Sequence, residues 1–191
     1  MARSRQRVLD RATHRASALG LDGLSLGVLA VDVGMSKSGV AGLFASKAEL
    51  QIATIAEAER VFFDRVFRSV PDEPGLPRLK RIFDRWLGVY LGHFEGGCFF
   101  AAAASELDDR PPGPVREALA AALVRMRREL VGEIRLTQRL GGLSVEIDPV
   151  QLAFELHAFV QEANYLRRMY RDDSAIESAR RAITNRLAAV S

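Results

Sequence analysis

Few residues in this 191-residue chain have the types and spacing for bond-making chemistry. The three histidines, His14, His93 and His157, fall on separate segments, so no two are spaced to share a metal ion. One cysteine, Cys98, excludes an intrachain disulfide and a multi-cysteine metal site. A lone thiol of this kind fits a reducing cytoplasm. Asp108 and Asp109 stand in a proline-rich stretch and are expected to be solvated. There is no His-Glu-x-x-His, no Gly-rich phosphate loop and no Gly-x-Gly-x-x-Gly. These residues predict no catalytic group, no metal, no cofactor and no enzyme.

Anion-binding chemistry is better supplied. Ser25, Ser36, Lys37, Ser38, Gly39, Gly42 and Lys47 sit where short helices are expected to begin or turn. A helix start offers unbonded N–H groups and the positive end of the helix dipole, which suit phosphate oxygens. Arg3 and Arg5 lead an N-terminal arm. The formal net charge is +3, and residues 1–50 hold all of the excess, with seven Lys+Arg against four acids. A locally basic module points to an anionic partner such as nucleic acid.

The elements that must position these residues read as all-α. Seven prolines punctuate the chain and are absent from the interiors of the periodic segments, and no alternating strand pattern stands out. The spacing predicts a helix over 3–19 stopped by Gly20, then two short helices after Ser25 and Ser36 with Gly34 between them. The second of these is expected over 37–43. Ser46 and Glu49 form a capping-box pattern opening a long helix through Val70, and Ser174 and Glu177 form another. Further helices are expected over 76–93, 98–107, 115–140 and 149–170, with a last one after Ser174. The segment from Cys98 is apolar nearly all round, which predicts burial. The longest apolar run, Cys98 to Ala104, is too short for a membrane span of about 20 residues. No apolar core follows the basic N-terminus, so no signal peptide is expected.

Two short helices joined by a glycine turn, with a helix before them, follow the helix-turn-helix plan. The residues that fill it carry a resemblance: Gly20-Leu21-Asp22, Ser25-Leu26, Leu29-Ala30, Val33-Gly34-Met35-Ser36-Lys37-Ser38-Gly39-Val40, Phe44 and Ser46-Lys47-Ala48-Glu49-Leu50. Over about residues 5–55 the chain resembles the DNA-binding domain of the TetR family of bacterial transcriptional regulators. The resemblance implies about nine helices. Residues 1–47 would form a DNA-binding domain, and residues 48–191 a ligand-binding and dimerisation domain. It implies a homodimer on a near-palindromic operator and release by a small, largely apolar molecule. Repression, the family's commoner mode, is the expected activity. The DNA-binding residues would be Arg3, Arg5, Ser25, Ser36, Lys37, Ser38, Gly39, Gly42 and Lys47. Ala41 stands where members usually carry an aromatic residue, Leu43 where His or Tyr is common, and Arg15 where an apolar residue is usual. The departures at Ala41 and Leu43 keep a second reading open, a dimeric small-molecule binder whose DNA-binding helix has lost its function.

An effector pocket needs apolar walls and a few convergent polar groups. Phe63, Phe67, Trp86, Tyr90, Phe99 and Met126 are candidate walls, and His157, Gln161 and Asn164 candidate polar contacts. His157 and Asn164 share a stripe with Ala153 and Val160, which serves equally as a subunit interface. With Ile176, Ala179, Ile183 and Leu187 of the last helix, Ala153 and Val160 are the expected dimer residues, two copies forming a four-helix contact.

Overall fold

A computed structural model describes residues 2–191 of the chain and contains nine α-helices and no strand among them. Helix α1 (Ala2–Leu19) buries Val8, Leu9, Ala12 and Ala16 and stops at Gly20, whose φ of 78° favours a residue without a Cβ. Helices α2 (Leu26–Asp32) and α3 (Lys37–Ala41) flank the turn at Gly34, with φ 64°. Helix α4 (Lys47–Phe62) opens as expected, Glu49 N donating to Ser46 Oγ at 3.1 Å. The return bond of the box goes one residue earlier than the usual pattern, from Ala45 N to the Glu49 carboxylate.

The long helices expected through Val70 and His93 are interrupted. After Phe62 the backbone widens to a π-helical stretch, Phe63–Arg68, and after α5 (Leu76–Arg85) to a second, Trp86–Tyr90. There Leu91 N donates to Trp86 O at 3.1 Å, five residues back. Helices α6 (Phe99–Leu107), α7 (Pro114–Arg139), α8 (Pro149–Tyr170) and α9 (Ser174–Ala188) follow. Asp148 caps α8, accepting from Val150 N at 2.8 Å, with Pro149 at the first helical position. Ser174 is not the cap expected of it: it lies inside α9, and its N and Oγ donate to Asp172 Oδ1 at 2.9 and 2.6 Å. Helix α6 buries Phe99, Phe100, Ala103 and Leu107, while Ala101, Ala102 and Ala104 are half-buried, so its burial is one-sided. Among the described residues no helix is long and apolar enough to cross a membrane.

The chain packs as two compact units that do not follow chain order. The first takes the chain up to Val61 together with Phe94–Leu123; the second takes Phe62–His93 and Val124–Ser191. The 47/48 division is one of expected roles, whereas α6 and the first part of α7 pack with the N-terminal helices. Val8, Leu21, Leu29, Val40, Phe44, Leu50 and Phe99 are core residues of the first unit. Phe62, Phe83, Trp86, Tyr90, Ile134, Leu156, Val160 and Leu187 are core residues of the second.

Candidate nucleic-acid interface and effector pocket

Burial orients α3. Val40 is wholly buried and Phe44 nearly so, and this anchors one side of the short helix. Its opposite side presents Lys37, Ser38, Ala41 and Gly42 to solvent. Ser36 Oγ accepts from Gly39 N at 3.0 Å, the N-cap bond expected of it, and stands 3.2 Å from Ser38 Oγ. Ser25 occupies the cap position of α2 but makes no side-chain cap bond. The helix ends at Ala41, two residues short of its expected end: Gly39 and Gly42 weaken it, and Phe44 turns into the core.

The arginines of α1 are largely engaged inside the first unit. Arg7 donates to the Val33 carbonyl at 2.7 Å. Arg15 and Arg11 both bond the Asp32 carboxylate at the end of α2, Arg11 at 2.9 Å. The Arg15 hydrogen bond first, then that of Arg11, holds the Asp32 carboxyl well below the usual carboxylate range. Arg15 thus has a structural use where an apolar residue is usual. Arg5 lies over the Phe44 ring at 5.0 Å and 3.9 Å from Glu49. Arg3 and Lys37 are exposed, with no ion-pair partner among the described residues.

Four side chains hold the Leu21–Asp22 turn between α1 and α2. Lys47 Nζ donates to Asp22 O at 2.7 Å, and Gln51 Nε2 to Leu21 O at 3.1 Å. From α6, the Glu106 carboxylate accepts from the backbone N–H groups of Leu21 and Asp22, and Arg110 pairs with Asp22 at 2.6 Å. That Arg110 bond keeps the Asp22 carboxyl below its ordinary range. Gly96 lies so close to α1 that a Cβ there would overlap the Ser17 carbonyl. Lys47 is therefore both an exposed cation and a brace. Sequence reasoning did not foresee Glu106, because the pairing spans 84 residues or more.

The second unit gathers a chain of rings. Phe62 lies 4.9 Å from Trp86 and 5.0 Å from Tyr90, and Phe83 stacks on Trp86 at 6.0 Å. His157 stands 5.4 Å from Trp86, and Gln161 Nε2 donates to its Nε2 at 2.8 Å. Burial, with the Arg127 charge adding to it, pushes the His157 imidazole below its ordinary range, which favours the neutral ring. The Trp86 Nε1 donor is buried with no hydrogen-bond partner. The structure thus brings together Trp86, Tyr90, His157 and Gln161. Phe63 and Phe67 line a separate cavity of about 480 Å³. Four of the five aromatic candidates, Phe63, Phe67, Trp86 and Tyr90, lie in the two π-helical stretches, a backbone form concentrated at functional sites. Met126 is buried on α7 and Asn164 half-buried on α8. Phe99 does not join these residues: it belongs to the first unit, 6.3 Å from Phe94 and 5.3 Å from Phe100.

The expected dimer residues need correcting. Ala153, Val160, Ala179, Ile183 and Leu187 are buried within the single chain, where α8 packs on α9, and Ile176 is half-buried. Their stripe closes an intrachain seam and offers little to a second subunit. The apolar face that α8 leaves open is another one, carrying Val150, Phe154, Ala158, Tyr165 and Met169, with Phe154 60% and Met169 66% exposed. Helical spacing joins these residues, but Glu162 and Gln161 among them mask the stripe in the sequence.

Residues 75–183 match the family described as "Tetracyclin repressor-like, C-terminal domain". The chain belongs to this family of transcriptional regulators. Nothing among curated proteins matches it. Of solved structures, a TetR transcriptional regulator from Chloroflexus aurantiacus superposes with a TM-score of 0.87 at 22% identity, covering 98% of this chain and 95% of that one. A TetR-family regulator from Cytophaga hutchinsonii gives 0.80 at 20% identity, over 99% and 95%. One from Streptomyces coelicolor gives 0.81 at 18% identity, over 100% and 97%. At these identities the likeness carries the fold, which is the all-helical one expected.

Proposed function

We propose that the chain is a ligand-responsive repressor that binds a near-palindromic operator as a homodimer and is released by a small molecule. It is read as cytoplasmic and without catalytic activity. The observation that carries the reading is the exposed face of α3, where Lys37 and Ser38 flank a capped helix start held in place by buried Val40. In a helix-turn-helix this helix enters the major groove with its first residues toward the bases. Gly39 and Gly42 allow close approach of its backbone. Ser25, Ser36 and Lys47 supply backbone-phosphate contacts, and Arg3 and Arg5 extend them. Residues 1–47 take the DNA role and 48–191 the effector and dimer roles. The open face of α8 supports the dimer, since an apolar stripe of this kind is stabilised by burial against its own copy. Two copies would set their reading helices about 34–36 Å apart, or a multiple of it.

Trp86, Tyr90, His157, Gln161, Met126 and Asn164 are the proposed effector contacts, joined by Phe63 and Phe67. Helix α4 runs without a break from Lys47 to Phe62 in the aromatic cluster, so an effector that favours one setting of that cluster can bias the DNA-binding helices. A second reading, a dimeric ligand binder that no longer binds DNA, is favoured by Ala41 and Gly42, which leave the second half of α3 with no base-contacting side chain on its exposed face.

The deciding measurement is binding to DNA flanking the chain's own gene at two salt concentrations. A regulator binds one site tightly, with affinity falling steeply as salt rises. Equal, weak binding to all sequences would leave the second reading standing. Phe154→Glu should convert dimer to monomer in analytical ultracentrifugation; an unchanged dimer would reject the α8 face.

A further inference from the structure

The cavity at Phe63 and Phe67 is not lined as an apolar effector site should be. Its other walls are Arg68, Arg78, Arg125, Arg128 and Glu129. They come from the Phe63–Arg68 stretch, α5 and α7, all within the second unit. Two of the guanidinium groups are fixed in place. Arg78 Nε donates to Glu133 at 2.9 Å, and its other nitrogens donate to the carbonyls of Phe67, Val70 and Pro71. Arg68 donates to Asp64 at 2.6 Å and lies 6.0 Å over the Phe63 ring. Arg128 is exposed and has no ion-pair partner among the described residues. Arg68 and Arg78 are thus engaged with Asp64 and Glu133, and Glu129 lines the cavity beside Arg128 in sequence.

We propose that this cavity binds an anionic amphiphile, with Arg128 receiving a carboxylate or phosphate head and the Phe63 and Phe67 rings receiving a flat apolar body. The reading rests on the effector role of the second unit and narrows it, since the sequence alone indicates a largely apolar molecule. A bond from a guanidinium to an oxygen acid is charge-assisted and stronger than a neutral one, and the adjoining rings give the apolar body of the same molecule a surface to bury. A neutral ligand over the same rings would cover the arginines without bonding them, which costs desolvation.

Titration calorimetry of the full chain with 1-naphthylacetate, 1-naphthyl phosphate and neutral 1-naphthylacetamide tests this. The anions should bind at least about tenfold tighter than the amide, the worth of one charge-assisted hydrogen bond. Whichever anion binds tighter identifies the head. Arg128→Met should bring both anions down to the level of the amide and leave the amide unchanged, while Arg128→Lys keeps most of the preference. Phe63→Ala should weaken all three. Equal binding of amide and anions, unchanged anion binding by Arg128→Met, or no binding of any probe overturns the proposal. Failure of the regulator reading shows separately, as absence of DNA binding by a chain that still prefers the anions. If a neutral compound releases DNA while no anion binds, this proposal falls and the effector role of the second unit stands.

Discussion

Arginine does two kinds of work in the two units. In the first, Arg11 and Arg15 reach a carboxylate at the helix surface, and Arg7 one backbone carbonyl. In the second, Arg78 is 14% exposed, bonds a buried carboxylate and donates to three backbone carbonyls that close the turn after Arg68. The donor chemistry is the same in both places. Burial of the acceptor is what differs: at the surface water replaces a lost partner, while the buried Glu133 carboxylate that Arg78 bonds has little such replacement. Positive charge in the sequence therefore overstates what the first unit has to offer a duplex. Of the seven cations in residues 1–50, Arg7, Arg11 and Arg15 are braces, Lys47 and Arg5 are exposed or half-buried but already engaged with Asp22 O and with Phe44 and Glu49, and Arg3 and Lys37 are exposed with no ion-pair partner among the described residues.

The comparison breaks most readily at Arg78. Arg78→Met strands the buried Glu133 carboxylate and leaves the part-buried carbonyls of Phe67 and Val70 without their donor, and should cost about 3–5 kcal/mol in denaturant unfolding. A loss below about 1 kcal/mol would mean that water reaches this site as it reaches Asp32. Glu106→Ala tests the first unit where it is least like a surface: two backbone N–H groups lose their acceptor, for an expected loss of about 2 kcal/mol.

The division among the N-terminal cations is sharpened by DNA affinity. Lys37→Ala and Lys47→Ala should each weaken binding several-fold and lower the salt slope by about 1, whereas Arg15→Met should leave that slope unaltered. Equal slopes in all three variants would assign Arg15 to the duplex as well. Asp32→Asn gives the smallest effect and a distinctive pH dependence. Since the folded protein holds the Asp32 carboxyl low, its contribution is fully present at neutral pH and is lost as pH falls below the ordinary carboxylate value of about 3.9. The Asn variant should therefore lose stability less steeply with acid below about pH 4, with thermal melting as a function of pH as the readout.

Much of the fold was legible in sequence because it depends on near neighbours. Gly20 and Gly34 mark chain reversals that only a residue tolerant of positive φ makes easily. Ser36 and Asp148 cap helices within three residues of themselves. Where local rules compete, sequence reading chose badly: Ser174 looked like a cap, but Asp172 supplied the acceptor. The π-helical stretches left no mark in the apolar spacing, which is nearly the same for either backbone over a single turn.

The site divides in the same way. Of the nine effector candidates that residue type and spacing offer, Trp86, Tyr90, His157 and Gln161 lie together in the structure. Phe99 was grouped with them by residue type alone, and packing puts it with Phe94 and Phe100 in the other unit.

By itself the sequence determined the all-helical architecture, the helix-turn-helix and the basic character of its first fifty residues, since periodicity, caps and turn glycines act over a few residues. Only the tertiary structure decided how the faces and charges are used. It closed the Ala153, Val160, Ile183 and Leu187 stripe inside one chain, left Phe154 and Met169 outside, turned three arginines of α1 inward to α2 and surrounded two phenylalanines with four more. These outcomes depend on partners far apart in the chain. Whether a given apolar or charged side chain meets water or another side chain is set by packing and not by its neighbours in sequence.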